Sequence, residues 1–126
     1  MTPTPATAAM LAIGDELLSG RTKDRNIGYL AEVLTVAGID LKEVRIVGDE
    51  PHIIADTLNT LRRSYDYVFT SGGIGPTHDD ITADAVGAAF GLTVGEHPEA
   101  LGRLAENYAE RGMEFTEARR RMARTP

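Results

Sequence analysis

The sequence predicts an α/β fold, in which helices cover both faces of a mostly parallel sheet to form a three-layer α/β/α sandwich. Short apolar runs alternate along the chain with segments whose apolar residues recur at helical spacing. Turn residues rich in glycine and in acids follow the apolar runs. Strands that alternate with helices form parallel sheets through right-handed crossovers, and ligands bind at the carboxyl ends of such strands. We therefore expect the functional residues just after each predicted strand.

The first strand and the first helix are predicted from a change in the period of the apolar residues. Ala8 to Ile13 is a continuous apolar run, which is typical of a buried strand. Arg25 to Ala37 is predicted to be a helix because apolar residues recur there at intervals of three and four; they are Ile27, Leu30, Ala31 and Leu34. Gly38 ends this helix, since glycine readily takes the left-handed conformation of a helix terminus.

The next three elements repeat this pattern. Ile39 to Val47 alternates apolar and polar residues as a strand does. Pro51 to Arg63 is predicted to be a helix, because it has a proline in its first turn and an apolar face at helical spacing. Asp66 to Thr70 is predicted to be the third strand, and Tyr67 to Phe69 have the composition of a short buried strand.

The remainder of the chain is predicted to be helical. A helix follows Asp80, with apolar residues at helical spacing at Ile81, Ala85, Val86, Ala88 and Ala89. Two further helices are expected at residues 98–111 and 114–124. The basic run Arg119 to Arg121, together with Arg124, is expected to form a solvated helix face without a catalytic role.

The composition limits the classes of function. Thirteen basic against 19 acidic residues give a net charge of -6, which argues against a nucleic-acid or membrane surface, so an anionic ligand must be held locally. The absence of cysteine excludes disulfides, zinc-thiolate sites and thiol nucleophiles, and it fits a reducing compartment. No apolar segment is as long as a membrane span, and the start lacks the basic flank of a signal peptide. We expect a cytoplasmic protein with a disordered lead-in at residues 1–7 and one domain at residues 8–126.

The residues after the third strand have the composition of an anion-binding loop beside a metal site. Gly72, Gly73 and Gly75 permit backbone conformations in which N–H groups point at a phosphate, and the following helix adds positive potential at its amino terminus. Asp79 and Asp80 are adjacent carboxylates that would let one divalent cation bridge the protein and a polyphosphate. The alternative is a turn with helix-cap residues and no ligand, because turns and caps also contain glycine and aspartate. A simple turn, however, does not need the additional hydroxyls of Thr70, Ser71 and Thr77.

The other two strand ends also carry candidate ligand residues. Gly14 to Glu16 follow the first strand, where adjacent carboxylates can orient hydroxyls or bind a hard cation, although a solvated turn with a helix cap is equally compatible. Arg21 and Asn26 can offer a guanidinium and an amide to an anionic ligand, although a surface charge is the more common role for such an arginine. Asp49 ends the second strand and points toward the same edge, and it can also cap the next helix. Neither a Gly-x-Ser-x-Gly elbow nor a P-loop motif is present.

The motifs together resemble those of a known family. They are Gly14-Asp-Glu-Leu-Leu-Ser-Gly20, Asn26, Val47-Gly-Asp49 and Thr70-Ser-Gly-Gly-Ile-Gly-Pro-Thr-His-Asp-Asp-Ile-Thr82. Their order and spacing resemble the molybdopterin-binding domain of molybdenum-cofactor biosynthesis proteins, over roughly residues 8 to 124. The Gly-Pro-Thr-His-Asp-Asp wording is most similar to the amino-terminal domain of competence/damage-inducible protein A (CinA) and to the related domain of eukaryotic FAD synthases. The MogA and MoaB branch usually has a shorter version that contains arginine.

The resemblance implies a site in the loops that follow the strands. Asp49 and Asp80 match carboxylates implicated in magnesium-dependent catalysis, and Asp79 and Asp80 are the candidates for metal binding. The residues expected to bind the ligand or its phosphate are Gly14, Asp15, Glu16, Ser19, Asn26, Thr70, Ser71, Gly72, Gly73, Gly75, Thr77 and Thr82.

The resemblance leaves three functions open. The leading expectation is the MogA-like reaction, which is adenylyl transfer from magnesium-ATP to molybdopterin with release of pyrophosphate. The CinA-like alternative is metal-dependent hydrolysis of a pyrophosphate such as ADP-ribose. The third is a catalytically silent ligand-binding module, because family members usually continue past Met122-Ala123 with a proline-bearing strand and a Pro-Gly-x-Pro loop, which this sequence lacks. The resemblance also implies a homo-oligomer, either a trimer or a dimer.

Overall fold

A three-stranded parallel sheet organises the fold. The structure, a computed structural model, describes residues 4–126. Its strands are β1 (Thr7–Ile13), β2 (Asp40–Val47), β3 (Tyr67–Ser71), β4 (Gly95–Glu96) and β5 (Arg124–Thr125). Its helices are α1 (Asp15–Leu18), α2 (Asn26–Ala37), α3 (Pro51–Ser64), α4 (Thr82–Phe90), α5 (Pro98–Glu110) and α6 (Glu117–Arg120), and a 3₁₀ turn follows at Arg121–Ala123.

The sheet has the strand order β2-β1-β3, and both outer strands run parallel to β1. Ile13 lies beside Val47, and Ala12 lies beside Ser71. The carboxyl ends of the three strands therefore meet at one edge of the sheet. This arrangement confirms the predicted α/β class, with a mostly parallel sheet flanked by helices.

Both faces of β1 are buried. One face packs against α3 and α4, and this core consists of Ala9, Leu11, Ile13, Ile54, Leu58, Leu61 and Ala85. Because side chains alternate along a strand, Ala8, Met10 and Ala12 point to the other face, where they are also buried. The helix α2 contacts β2 and buries Leu34. Burial on both faces explains why β1 is a continuous apolar run rather than an alternating one.

The start of α2 is fixed by a side-chain cap that sequence reasoning did not predict. Oδ2 of Asp24 accepts a hydrogen bond from the N–H of Ile27 at 2.7 Å. The helix begins at Asn26, one residue later than predicted, and it ends before Gly38, which has a left-handed φ of 77° as expected. The hydrogen bond between Asp24 and Ile27 ties the connection between α1 and α2 to the first turn of α2.

The prediction that β3 is buried is wrong. Tyr67 is 52% exposed, and Val68 and Phe69 are only partly buried. Within the part of the chain that the structure describes, β3 pairs with β1 alone and is an edge strand. Its apolar composition reflects one covered face, where Val68 packs against the core.

The prediction of one helix at residues 114–124 is also wrong. The helix α6 spans only Glu117–Arg120, and the 3₁₀ turn then leads into β5, which pairs antiparallel with β4. The N–H of His97 donates to the carbonyl of Ala123 at 2.7 Å. Backbone pairing with residues about 30 positions earlier therefore overrides the helical pattern of this segment.

Residues 1–3 of the predicted disordered lead-in lie outside the described residues. Strand β1 begins at Thr7, and the carbonyl of Ala6 accepts a hydrogen bond from the N–H of Asp40 at 2.9 Å. The end of the predicted lead-in is thus part of the sheet.

Among the helices of residues 4–126, none has the length and the apolar character needed to cross a membrane.

Candidate anion-binding cleft

A reciprocal pair of aspartates joins the ends of β1 and β2. The N–H of Asp15 donates to Oδ2 of Asp49, and the N–H of Asp49 donates to Oδ1 of Asp15, both at 3.1 Å. The N–H of Gly14 donates to the carbonyl of Val47 at 2.9 Å. A Cβ at Gly48 would lie 2.5 Å from Oδ1 of Asp15, so this close pairing favours glycine at position 48. Each carboxylate therefore uses one oxygen to hold the two strand ends together.

The glycine loop, which we define as Gly72 to Gly75, passes directly over the end of β1. Gly72 has a φ of 89°, and a Cβ there would lie 2.0 Å from the carbonyl oxygen of Ile13. Thr82 is 2% exposed. Its hydroxyl donates to the carbonyl of Gly72 at 2.7 Å, and its N–H donates to the carbonyl of Gly73 at 3.0 Å. Thr82 is a predicted ligand residue. Its hydroxyl proton instead binds the glycine loop, and a ligand would need that same proton.

Asp80 organises the turn that follows the glycine loop. Its Oδ2 accepts hydrogen bonds from the N–H of Thr77 at 2.8 Å and from the hydroxyl of Thr77 at 2.7 Å. Partial burial alone would raise the pKa of the Asp80 carboxyl. The hydrogen bonds from Thr77 and from the N–H of Gly75, together with the charge of Arg121, outweigh that effect and lower the pKa below its ordinary value. Asp80 is therefore a carboxylate at neutral pH.

A cleft of about 570 Å³, the first cleft, lies between the glycine loop and the connection from α1 to α2. Ser71 lines it from the end of β3, and Gly72 lines it from the glycine loop. Glu16 lines it from α1, and the segment Arg21 to Asn26 lines it from the α1–α2 connection. A volume of this size suits a small organic ligand. Serine and backbone groups on one side and basic side chains on the other suit an anion.

A smaller cleft of about 360 Å³, the second cleft, lies at the other end of the glycine loop. Asp80 and Asp84 line it together with Arg121 and Arg124. Arg124 donates to both carboxylate oxygens of Asp84, at 2.6 and 3.2 Å, and Arg121 lies 3.6 Å from the same carboxylate. Arg121 also donates to the carbonyl of Asp80 at 3.3 Å. For Arg121 and Arg124, the expectation of a solvated helix face is wrong, because the 3₁₀ turn and β5 bring the two side chains onto Asp84 and the carbonyl of Asp80.

The structure divides the predicted ligand residues between the two clefts. Glu16, Asn26, Ser71 and Gly72 line the first cleft, and Gly73, Gly75 and Asp80 line the second. Neither cleft is lined by Asp15 or Asp49. The loops predicted from the sequence therefore meet, but the predicted residues do not face one common cavity.

Three predicted hydroxyl residues point elsewhere. Thr70 lines a separate groove beside α3 and α4, because alternation along β3 places it on the face opposite Ser71. Ser19 is exposed and donates its hydroxyl to the carbonyl of Glu16 at 3.3 Å. Thr77 is exposed and donates its hydroxyl to Asp80. Their assignment to a ligand remains a prediction.

The metal assignment likewise remains a prediction. Across residues 4–126, no three or more His, Asp or Glu side chains come together as a metal site. Asp79 is exposed, next to the partly buried Asp80. A cation here would take one or two carboxylates from this chain, and the ligand phosphates and water would complete its coordination. Magnesium commonly binds in that way.

Sequence reasoning missed four basic residues that line the clefts. Lys23 and Arg25 line the first cleft beside Arg21, and Arg121 and Arg124 line the second. The alternation of bases at positions 21, 23 and 25 in an acidic chain was a usable signal for the first set. The second set depends on contacts with Asp84 about 40 positions away, which no local pattern reveals.

The fold and the clefts together define an α/β domain whose clefts, at the carboxyl ends of parallel strands, suit a small anionic molecule. Residues 9–123 match the model of the family described as the probable molybdopterin binding domain, and the chain belongs to that family. A CinA-like protein from Geobacter metallireducens is 40% identical over 94% of this chain and 29% of its own length. The chain spans less than half the length of the first curated relatives that it matches.

Solved structures show the same fold. The CinA protein from Thermoplasma acidophilum superimposes with a TM-score of 0.86 at 28% identity, covering 97% of this chain and 71% of that one. The molybdopterin biosynthesis enzyme MoaB from Thermus thermophilus superimposes with a TM-score of 0.62 at 25% identity, covering 79% of this chain and 62% of that one. The resemblance to the MogA, MoaB and CinA proteins is confirmed.

Proposed function

We propose that this chain binds a pterin or nucleotide through a phosphate in the first cleft and acts on a phosphoanhydride bond with the help of a divalent cation. The observation that carries the proposal is the cleft itself, where Ser71 and Gly72 face three basic side chains at the carboxyl edge of a parallel sheet. Membership of the molybdopterin-binding domain family supports a pterin as the ligand.

The residues present fit a magnesium ion. Asp80 is ionised at neutral pH, its lowered pKa keeps it ionised at more acidic pH, and Asp79 is adjacent and exposed. A bound magnesium ion would neutralise charge on the phosphates. Asp80 would hold the ion, while the hydrogen bonds that it accepts from Thr77 keep the carboxylate in one orientation. Asp49 would act indirectly, because its hydrogen bond with Asp15 holds the ends of β1 and β2 together.

Adenylyl transfer from magnesium-ATP to molybdopterin is the first candidate reaction. The two clefts at either end of the glycine loop support it, because they provide separate places for the pterin and for the nucleotide. The chain would contribute binding and orientation of the two phosphates, which are the main protein contributions to such transfers.

Hydrolysis of a pyrophosphate such as ADP-ribose is the second candidate. A specific observation favours it, since the structural similarity to the Thermoplasma CinA protein is greater than that to the Thermus MoaB enzyme. Identity with the Geobacter CinA-like protein extends over nearly the whole chain. A catalytically silent binding module remains the third candidate.

The products of the reaction distinguish these candidates. The purified chain is incubated with magnesium and either ATP plus molybdopterin or ADP-ribose, and the products are separated by chromatography. Adenylylated pterin with pyrophosphate supports the transferase, and AMP with ribose phosphate supports the hydrolase. Ligand binding without product supports the silent module. Absence of both binding and product contradicts the proposal.

Substitution of Asp80 tests the catalytic assignment. Asp80→Asn removes the charge with little change in volume, so we expect turnover to fall by about a hundredfold or more while the chain stays folded. Asp56→Asn, on the exposed part of α3, is the matched control and should keep full turnover. Unchanged turnover in Asp80→Asn would remove this carboxylate from the mechanism.

We further propose that the protein is cytoplasmic and forms a homo-oligomer. Light scattering on the purified chain measures the second point directly, and a monomer at all concentrations would contradict it.

A further inference from the structure

We propose that the basic loop, which we define as Arg21 to Arg25, is the element that recognises the ligand's terminal phosphate. The inference rests on the proposed function and names its ligand class more closely. The ligand would carry a phosphomonoester, whose dianionic oxygens Arg21, Lys23 and Arg25 would contact. The glycine loop would contact the same group only through Ser71 and Gly72.

The first observation is that these bases have no side-chain partners among residues 4–126. Among residues 4–126, basic side chains form ion pairs, hydrogen bonds or contacts with aromatic rings at Lys42, Arg45, Arg62, Arg103, Arg111, Arg119, Arg120, Arg121 and Arg124. In the same described range, Arg21, Lys23, Arg25 and Arg63 have no such side-chain contact. Three of these four residues line the first cleft.

The second observation is the local balance of charge. The chain carries a net charge of -6, yet the lining of the first cleft holds three bases and only two acids, Glu16 and Asp24. The carboxylate of Asp24 is already engaged, because its Oδ2 caps α2 through the N–H of Ile27 at 2.7 Å. Three bases and two acids give the lining a formal charge of +1 on a protein with a net charge of -6, so the cleft favours an anion more than the rest of the surface does.

The form of the site favours a terminal phosphate over an uncharged group. Guanidinium and ammonium groups form their strongest hydrogen bonds with ionised oxygens, and two arginines can each engage a phosphate through two donors. A phosphomonoester carries nearly two negative charges at neutral pH and three oxygens that are accessible to donors. A phosphate within a diester has less negative charge and fewer accessible oxygens, so it matches three bases less well.

Matched ligand pairs test the proposal by isothermal titration calorimetry, without any requirement for turnover. Neopterin monophosphate is compared with neopterin, and AMP is compared with adenosine, because each pair differs in one phosphate. We expect the wild-type chain to bind the phosphorylated member at least about tenfold more tightly. Lys23→Gln and Arg25→Gln should each weaken binding of that member by about tenfold and leave binding of the unphosphorylated member unchanged.

The chain offers close controls for both substitutions. Arg63→Gln removes another arginine, on α3, that has no ion pair, hydrogen bond or aromatic contact within the described residues, and Lys42→Gln removes an exposed lysine on β2. Both should retain the phosphate preference. Urea unfolding of all four variants verifies that they are folded, which we expect because the side chains are exposed.

The possible results separate this inference from the proposed function. If the wild-type chain prefers the phosphorylated ligand but Lys23→Gln and Arg25→Gln keep that preference, the phosphate lies elsewhere and the inference is wrong, while the proposed function stands. If the wild-type chain binds both members of a pair equally, the inference is again wrong. If it binds no pterin, no nucleotide and no ADP-ribose, the proposed function is contradicted as well.

Discussion

The basic residues near the two ends of the glycine loop differ in whether they have partners within the described residues. At the first cleft, the basic loop presents arginine and lysine side chains that are exposed and have no partners among residues 4–126. At the second cleft, Arg121 and Arg124 are largely buried against Asp84 and the carbonyl of Asp80. A cation without a partner is available to a ligand, whereas a paired cation fixes the backbone around it. The neighbours of a basic residue therefore decide whether its charge is available to a ligand or is paired within the protein.

The glycine loop links the two ends, so a change in its backbone is expected to have the largest effect. Gly72→Ala would place a Cβ 2.0 Å from the carbonyl oxygen of Ile13, at a φ of 89° that disfavours alanine. We expect the free energy of unfolding to fall by about 3 kcal/mol or more, measured by urea titration.

Gly28→Ala is the matched control for that variant. Gly28 lies within α2, and a Cβ there would meet no atom within 4 Å. Because alanine favours helix more than glycine does, this variant should be more stable by up to about 1 kcal/mol. A Gly72→Ala protein as stable as the wild type would show that the loop can move away from β1, and the division into two clefts would then be in doubt.

The paired end is tested by removing its shortest ion pair. Arg124→Met keeps most of the side-chain volume but removes both hydrogen bonds to Asp84. We expect a loss of about 1 kcal/mol in unfolding free energy at low salt, because the pair is partly shielded from water, and a smaller loss at about 1 M salt. A double-mutant cycle with Asp84→Asn isolates the pair from the lost packing.

Arg103→Met provides the comparison for an exposed pair. Arg103 lies 3.3 Å from Glu99 on the surface of α5, and both side chains are at least 70% exposed. Its removal should change the unfolding free energy by less than about 0.5 kcal/mol. If Arg124→Met had no larger effect than this, the contacts at the second cleft would not position the loop.

The fold was predictable because its main signals are local. The continuous apolar run of β1 and the helical spacing of α2 and α3 are readable within a few residues, and the structure confirms all three elements to within one residue of the predicted ends. The segment at residues 114–124 was not predictable, because its conformation depends on pairing with β4. Backbone hydrogen bonds to distant residues decide the structure of short elements whose own helical preference is weak.

The loops of the site were predictable, but the way in which they face each other was not. Glycines and acids after each strand identified the correct edge of the sheet. Ser71 and Thr70 are adjacent in sequence, yet alternation along β3 places only Ser71 in the first cleft. The hydrogen bonds between Asp15 and Asp49 join residues that are 34 positions apart in the sequence. Such contacts appear only once the strands are in register.

The stability of the turn at Asp80 is expected to depend on pH. Thr77→Val removes the hydroxyl that donates to the Asp80 carboxylate at 2.7 Å and thereby raises the pKa of that carboxyl toward its ordinary value of about 4. A carboxyl whose pKa is lowered by folding stabilises the protein above its unfolded pKa, and this contribution is lost as the pH falls through the folded pKa. We therefore expect Thr77→Val to lower the unfolding free energy by up to about 1 kcal/mol at neutral pH, and by less below about pH 4.

Thr60→Val separates titration from the simple loss of a hydrogen bond. The hydroxyl of Thr60 donates to the carbonyl of Asp56 at 3.0 Å, and a carbonyl does not titrate in this range. Its effect on unfolding free energy should therefore be the same at neutral and at acidic pH, whereas that of Thr77→Val should shrink on acidification. Equal pH dependence in the two variants would mean that the hydroxyl of Thr77 does not lower the pKa of Asp80.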